Sequence, residues 1–517
     1  MKKLIILYEN QSLTNDEIKN VPEKLYYNQK VIKVGYFYES RSDKHFFILP
    51  KLLDGILIEE KELYNFVILF FKSLKRINNE ENKCNFPFIE SNLKDKEFTH
   101  LEAIISLIDF YKKNKEVLFS YAQQILLEHQ SSSKTNWNKT IFKTIPFISN
   151  KKPIYISFVN NKKIIDKDEK LLKIFYSTIY YLNKEYFLNL TIPDIIKDFF
   201  VYSPKEFKRI KKNILKILKL IKYKYFSDKL KQLYNILENY YNIHKKSKKI
   251  LKNEFILTKD YHIIFEKMVD SLISDKNQEI EKLKNQKDGK LVDHLFLYNS
   301  LIDKNKKIYY IADSKYYTDD KIGEYSIYKQ VTYARNIINY HIEKINNSTE
   351  YEENILYRDD LTEGYNISPN FFIQGYIPYK KIKSINYCDI KWKMVNDYKF
   401  YHFPNRLFDR DTFYILHYKV NYLYILKSFA LNKNINFNFK EKIREDFIKF
   451  LNSKYNFYSK IFNSDEKLNN FVNENLKKLI GKVFVINIEK KFKLIIALEK
   501  TEKEKLNLDN FKKFELE

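Results

Sequence analysis

Apolar residues along this chain change their period several times, and each change predicts a change of element. Near the start, "VIKVGYFYES" and "HFFILPKLL" flank the polar "SRSDK" and read as a β-hairpin in a strand-rich opening region. In "EEKELYNFVILFFKSLKRI" and "LEAIISLIDFYKKNKEVLFSYAQQILLEH" the apolar positions recur at three- and four-residue steps, which predicts helices until "SSSKTNWNKT" breaks the run. Residues 166–250 keep a helical period. Their most basic part, "KEFKRIKKNILKILKLIKYKYF", sets Ile210, Ile214, Leu218 and Ile221 in one stripe. The lysine-rich face opposite fits either open solvent or a DNA backbone.

From about 256 the order helix, strand, strand, helix, strand predicts a mixed α/β arrangement. Beyond 430, "KEKIREDFIKFLNSKYNFYSK" reads as helical and "KVFVINIEKKFKLIIALEK" as a terminal hairpin. The expected organisation is a strand-plus-helix N-terminal domain over 1–165, a basic helical connection over 166–255, an α/β domain over 256–430, and a C-terminal region over 431–517.

The α/β region carries the candidate chemistry. In "TKDYHIIFEKMVDSLIS", Tyr261, Ile264, Phe265, Met268, Val269 and Leu272 repeat with helical period, Thr258 is the expected N-cap, and Glu266 stands at the edge of the stripe. In the next strand, "GKLVDHLFLY", Asp293 interrupts the apolar face of Leu291, Leu295 and Leu297. In "KIYYIADSKYY", Tyr309, Ile311, Asp313 and Lys315 share a face. A hairpin loop centred near Asp303 makes Asp293 and Asp313 equidistant from it, so strand pairing sets them side by side with Lys315 near by.

Two adjacent carboxylates repel unless something positive sits between them, and Mg²⁺ meets that need as a hard cation held by one or two carboxylates. Such an ion stabilises charge on a scissile phosphate while a lysine orients or deprotonates the attacking water. The following helix, "EYSIYKQVTYARNIINY", places Gln330 and Tyr333 on neighbouring turns, where they fit either a bridge from the lysine to DNA or ordinary packing.

Composition adds to this picture in part. The net charge of +26 suits a polyanionic partner, although an abundance of Lys, Asn, Ile, Tyr and Phe beside only 7 Gly, 10 Pro and 2 Trp is also the bias of an AT-rich genome. Cys84 and Cys388 have no second Cys or His at zinc-ligand spacing, which argues against a disulfide framework and a zinc site. No signal-peptide core and no bilayer-length apolar run is apparent, so the expectation is a soluble, cytoplasmic protein without membrane association. The Gly-Lys pairs at 289–290 and 481–482 lack the remainder of a phosphate-binding loop.

The succession FE…VD…DSK…KQxxY resembles the PD-(D/E)xK nuclease superfamily, with Glu266, Asp293, Asp313, Lys315 and Gln330 at the motif positions. Val292 stands where proline is usual, and the helix reads Gln-x-x-Tyr to Tyr333 where the related exonucleases have Gln-x-x-x-Tyr. Within that superfamily "KVGYFYES", "FFILPKLL", "TNWNKTI", "PIYISF" and "IFEKMV", in this order, resemble the LlaJI restriction endonuclease family, relatives of the McrC subunit of McrBC.

The resemblance implies a restriction-endonuclease-like core over 256–430, with Asp293, Asp313 and Glu266 as metal ligands and Lys315, Gln330 and Tyr333 as further catalytic residues. It further implies cleavage of double-stranded DNA together with a McrB-like AAA+ GTPase that binds the GTP and docks on residues 1–165. Two other readings stand beside it. One is a self-sufficient homodimeric type II restriction endonuclease; the other is a catalytically inactive DNA-binding assembly protein. Trp137 is expected in the core rather than at an interface.

Overall fold

The alternation near the N-terminus forms a sheet with two apolar faces. In the computed structural model, which describes all residues except 1–2, 82–88, 93–98, 121–122, 130–133, 166–168, 187, 189, 251–252, 277, 285–291, 319–321, 347–354, 385–390, 433–437, 489–490, 502–507 and 509, five strands line up here. Their order is Leu4–Tyr8, Lys44–Leu49, Val34–Glu39, Glu254–Thr258, Ile89–Ser91. The expected hairpin is present, antiparallel and closed at Glu39 opposite Lys44.

Tyr36, Tyr38, Phe47, Leu49 and Ile256 turn toward the helices Glu60–Glu81, His100–Ser120, Lys170–Tyr186 and Asp228–Ile250. Phe37, Phe46, Ile48 and Leu257 build a second, smaller core with Leu7, Leu25 and Val31. The expected boundary at 255/256 falls inside the Glu254–Thr258 strand, which pairs with Val34–Glu39 in the N-terminal sheet. That pairing explains Gly35, held at φ +145°. A Cβ there would lie 2.1 Å from the Ile256 carbonyl oxygen.

Several local readings change in three dimensions. Thr258 ends this strand instead of capping the next helix, and its Oγ1 accepts a hydrogen bond from Asp260 N at 3.0 Å. The 101–129 segment is helical only to Ser120, because Gln123–His129 pairs antiparallel with Val159–Ile165. Tyr455–Phe462 is likewise a strand, drawn from the helical reading by pairing with Lys491–Glu499. The basic stretch is two helices, Pro204–Lys211 and Ile214–Ile221, with Ile214, Leu218 and Ile221 buried. Leu291, Cys84 and Cys388 lie outside the described residues.

The α/β region has a mixed sheet in the order His294–Asn299, Lys307–Lys315, Asn370–Tyr376, Phe413–Asn421, Lys393–Phe400. Its outer pairings are antiparallel and its two inner ones parallel. The Lys307–Lys315 strand is buried from Ile308 onward on both faces, as expected for an interior strand of a covered sheet. Helices Tyr261–Ile273 and Glu324–Asn346 pack on it. A third sheet, Val483–Ile488, Lys491–Glu499, Tyr455–Phe462 and Lys512–Phe514, closes the C-terminal region. Among the described residues no helix is long and apolar enough to cross a membrane.

Gly35→Ala is expected to destabilise the chain by about 2 to 3 kcal/mol, because either the side chain or the neighbouring strand must shift. Denaturant unfolding checks this, and a loss below about 0.5 kcal/mol, the range of neutral surface changes, would contradict it.

Candidate active site

The site is built on strand register. His294 faces Ala312 and each following pair steps outward to Asn299 opposite Lys307, so the same register carried back one residue puts Asp293 opposite Asp313. Asp293 precedes the first residue of its strand, where its Oδ2 accepts from Ser314 N at 3.3 Å. Asp313 is buried, and its Oδ2 lies 2.5 Å from Lys315 Nζ, which is buried too and stands 5.4 Å from the centre of the Phe372 ring. The expected convergence of Asp293, Asp313 and Lys315 is therefore present.

The electrostatics follow from burial and like charge. Burial first, then the hydrogen-bonded Asp313 and its charge, push the Asp293 carboxyl up to about 9. Glu266 faces this pair from the Tyr261–Ile273 helix, and burial, reinforced by Asp313, raises its carboxyl above the usual range. Among the described residues, however, the one three-residue acid or histidine cluster close enough to share a metal lies elsewhere, so Glu266 stands outside the Asp293–Asp313 pair.

Gln330 is fully buried, and its Nε2 donates to Ile311 O at 2.9 Å, two residues before Asp313. It holds the strand instead of reaching outward. Tyr333 is buried beside Lys329, whose Nζ lies 5.3 Å from the ring centre. Burial raises the Tyr333 hydroxyl and Lys329 counters it.

Lys329 is the residue that spacing passed over. Against the penalty of burial, Tyr333 and the Asp293 and Asp313 carboxylates hold its ammonium above the ordinary lysine value. The available signal was its position four residues before Tyr333, on the same helix face.

The residues alternating with the acidic ones are equally ordered. Ser314 Oγ bonds His294 Nε2, and His294 Nδ1 lies 3.1 Å from Asp270 Oδ1, which also pairs with Lys284. Against burial, His294 and Lys284 keep the Asp270 carboxyl below its usual range. This buried chain ties the acidic helix to both strands of the ribbon. Beyond Lys315, Tyr316 donates to Glu9 Oε2 at 2.5 Å and accepts from Lys51 N at 3.0 Å, so the N-terminal sheet is bonded to the end of the same strand.

The raised Asp293 carboxyl sets a pH dependence. The native chain holds a proton there that the unfolded chain releases near its ordinary value of 3.8, so this contribution is complete below about pH 4 and is lost as pH rises toward about 9. In metal-free buffer, Asp293→Asn is therefore expected to gain stability over the parent with increasing pH across that window. Equal melting temperatures of the two proteins at pH 4 and at pH 9 would contradict it. Compared with protein-family models and with curated proteins, the chain matches none.

Proposed function

We propose that this chain is a Mg²⁺-dependent DNA endonuclease with a PD-(D/E)xK core, acting as the cleavage subunit of a GTP-driven restriction complex. The observation that carries the reading is the Asp293–Asp313 pair with Lys315 Nζ 2.5 Å from Asp313, all on one β-ribbon. The donor set fits the ion: two adjoining carboxylates, one of which must otherwise keep a proton, offer hard oxygen ligands and a negative charge to be neutralised. When bound, Mg²⁺ supplies Lewis-acid stabilisation of a phosphate and a more acidic water.

The chain's own groups account for the remainder. Lys315 is placed to orient a water against phosphorus and to set its ammonium beside the negative charge that develops as the phosphodiester P–O bond breaks, the proton of the water leaving to solvent. Lys329 adds a positive charge beside the carboxylates for the scissile phosphate. Gln330 and the Asp270–His294–Ser314 chain are positioning residues that hold the strands in register. Lys208, Lys211, Lys212, Lys216 and Lys245 line a cleft of about 550 Å³, a surface suited to a nucleic-acid backbone.

The partner assignment rests on the resemblance and on one surface. Trp137 is 55% exposed instead of buried, and stacks edge-on with Tyr155 and Phe158. In the same stretch of chain Phe142, Ile145, Phe147, Ile148 and Ile156 are also exposed, a concentration of apolar residues suited to an interaction surface. A separate AAA+ GTPase is the proposed occupant.

Two tests follow. Asp313→Asn is expected to lower Mg²⁺-dependent plasmid cleavage by ~10²-fold or more. Retained cleavage would overturn the reading, and cleavage by the purified chain without GTPase or GTP would favour the homodimeric enzyme. Combined Phe142→Ser and Ile145→Ser is expected to weaken partner binding at least about tenfold with stability unchanged, as measured by pull-down and thermal unfolding. Unaltered binding would move the docking site elsewhere.

A further inference from the structure

A second polar cluster lies far along the chain from the carboxylate pair. Asp43, in the turn of the N-terminal hairpin, meets His100 from the first turn of His100–Ser120 and His244 from within Asp228–Ile250. One potential ligand atom from each lies within 4.8 Å of the other two. His100 Nε2 and His244 Nδ1 face one another at 3.0 Å, and both residues are buried.

The surroundings have the features of a supported metal site. Asp43 Oδ1 accepts from Tyr38 OH at 3.1 Å and Oδ2 from Lys3 Nζ at 2.9 Å, which fix the carboxylate from outside. Lys3 is shared with Glu185 at 2.7 Å, so its charge is not spent on Asp43 alone. Tyr38 stacks on the His100 ring at 4.5 Å and 7°, holding its plane. His45 also lies near, but its two ring nitrogens are engaged by Tyr36 and Tyr186 hydroxyls at 3.0 and 3.1 Å. It supports the cluster without joining it.

We propose that Asp43, His100 and His244 bind one zinc-class divalent ion, with water in the fourth position, and that this ion pins the N-terminal hairpin to two helices. Two imidazoles and one carboxylate suit Zn²⁺ and its substitutes Co²⁺ and Ni²⁺, whereas Mg²⁺ prefers the all-oxygen pair at Asp293 and Asp313. On binding, the proton shared between the facing imidazole nitrogens leaves to solvent and the metal takes its place. Spacing around the cysteines argued against zinc because it searches short segments, while these ligands are spread over three elements and include no cysteine.

The test uses the full chain and the metals alone. Zn²⁺ titration against a chromophoric chelator is expected to show one tight equivalent, and Co²⁺ to give the intense visible bands of a four-coordinate site. His100→Gln and His244→Gln should each weaken uptake by at least about tenfold, while Asp313→Asn leaves it unchanged. Failure of the wild-type chain to take up zinc, or a pale six-coordinate cobalt spectrum, overturns the proposal even where a variant does not fold. So does equal uptake by the wild-type chain and by both glutamine variants.

Discussion

Strand pairing between His294–Asn299 and Lys307–Lys315 is the constraint on which the site depends. Because side chains alternate sides along a strand, a slip of one residue would turn Asp313 and Lys315 to the other face and separate them from Asp293. Devices on both sides prevent that slip. Gln330 holds Ile311 O, and Ser314 between the two charged residues is tied through His294 to Asp270. Both alternating sets of this strand are thus engaged, one in the carboxylate–lysine cluster and one in alignment.

Holding Asp293 against Asp313 in a buried setting opposes folding, and the structure tolerates it by protonation and by nearby cations. Lys315 contacts Asp313 directly, Lys329 approaches from the Glu324–Asn346 helix, and Glu266 adds further negative potential. A local arrangement that weakens the fold while concentrating ligand-ready charge is the observation from which the proposed function starts.

The N-terminal sheet is joined mechanically to this region. Tyr316, adjacent to Lys315, is held by Glu9 and Lys51, and Tyr261 at the start of the acidic helix meets Tyr422 OH through a short hydrogen bond. Glu254–Thr258 leaves the N-terminal sheet only two residues before that helix begins. Covalent chain and hydrogen bonds thus connect the N-terminal sheet to the helix that carries Glu266 and to the strand that carries Asp313 and Lys315.

Alternation and spacing were enough to identify the N-terminal hairpin, the mixed α/β character and the meeting of Asp293, Asp313 and Lys315, because these depend on contacts between neighbouring elements and on a period of two. Helix-to-strand changes at Gln123–His129 and Tyr455–Phe462 were not legible, since partners far along the chain override a local apolar period. Tertiary structure alone set Gln330 behind the strand, put Lys329 beside the carboxylates, left Trp137 in the open, and gathered Asp43, His100 and His244. Each of those outcomes depends on which face of an element meets a distant one, and a linear pattern does not encode that choice.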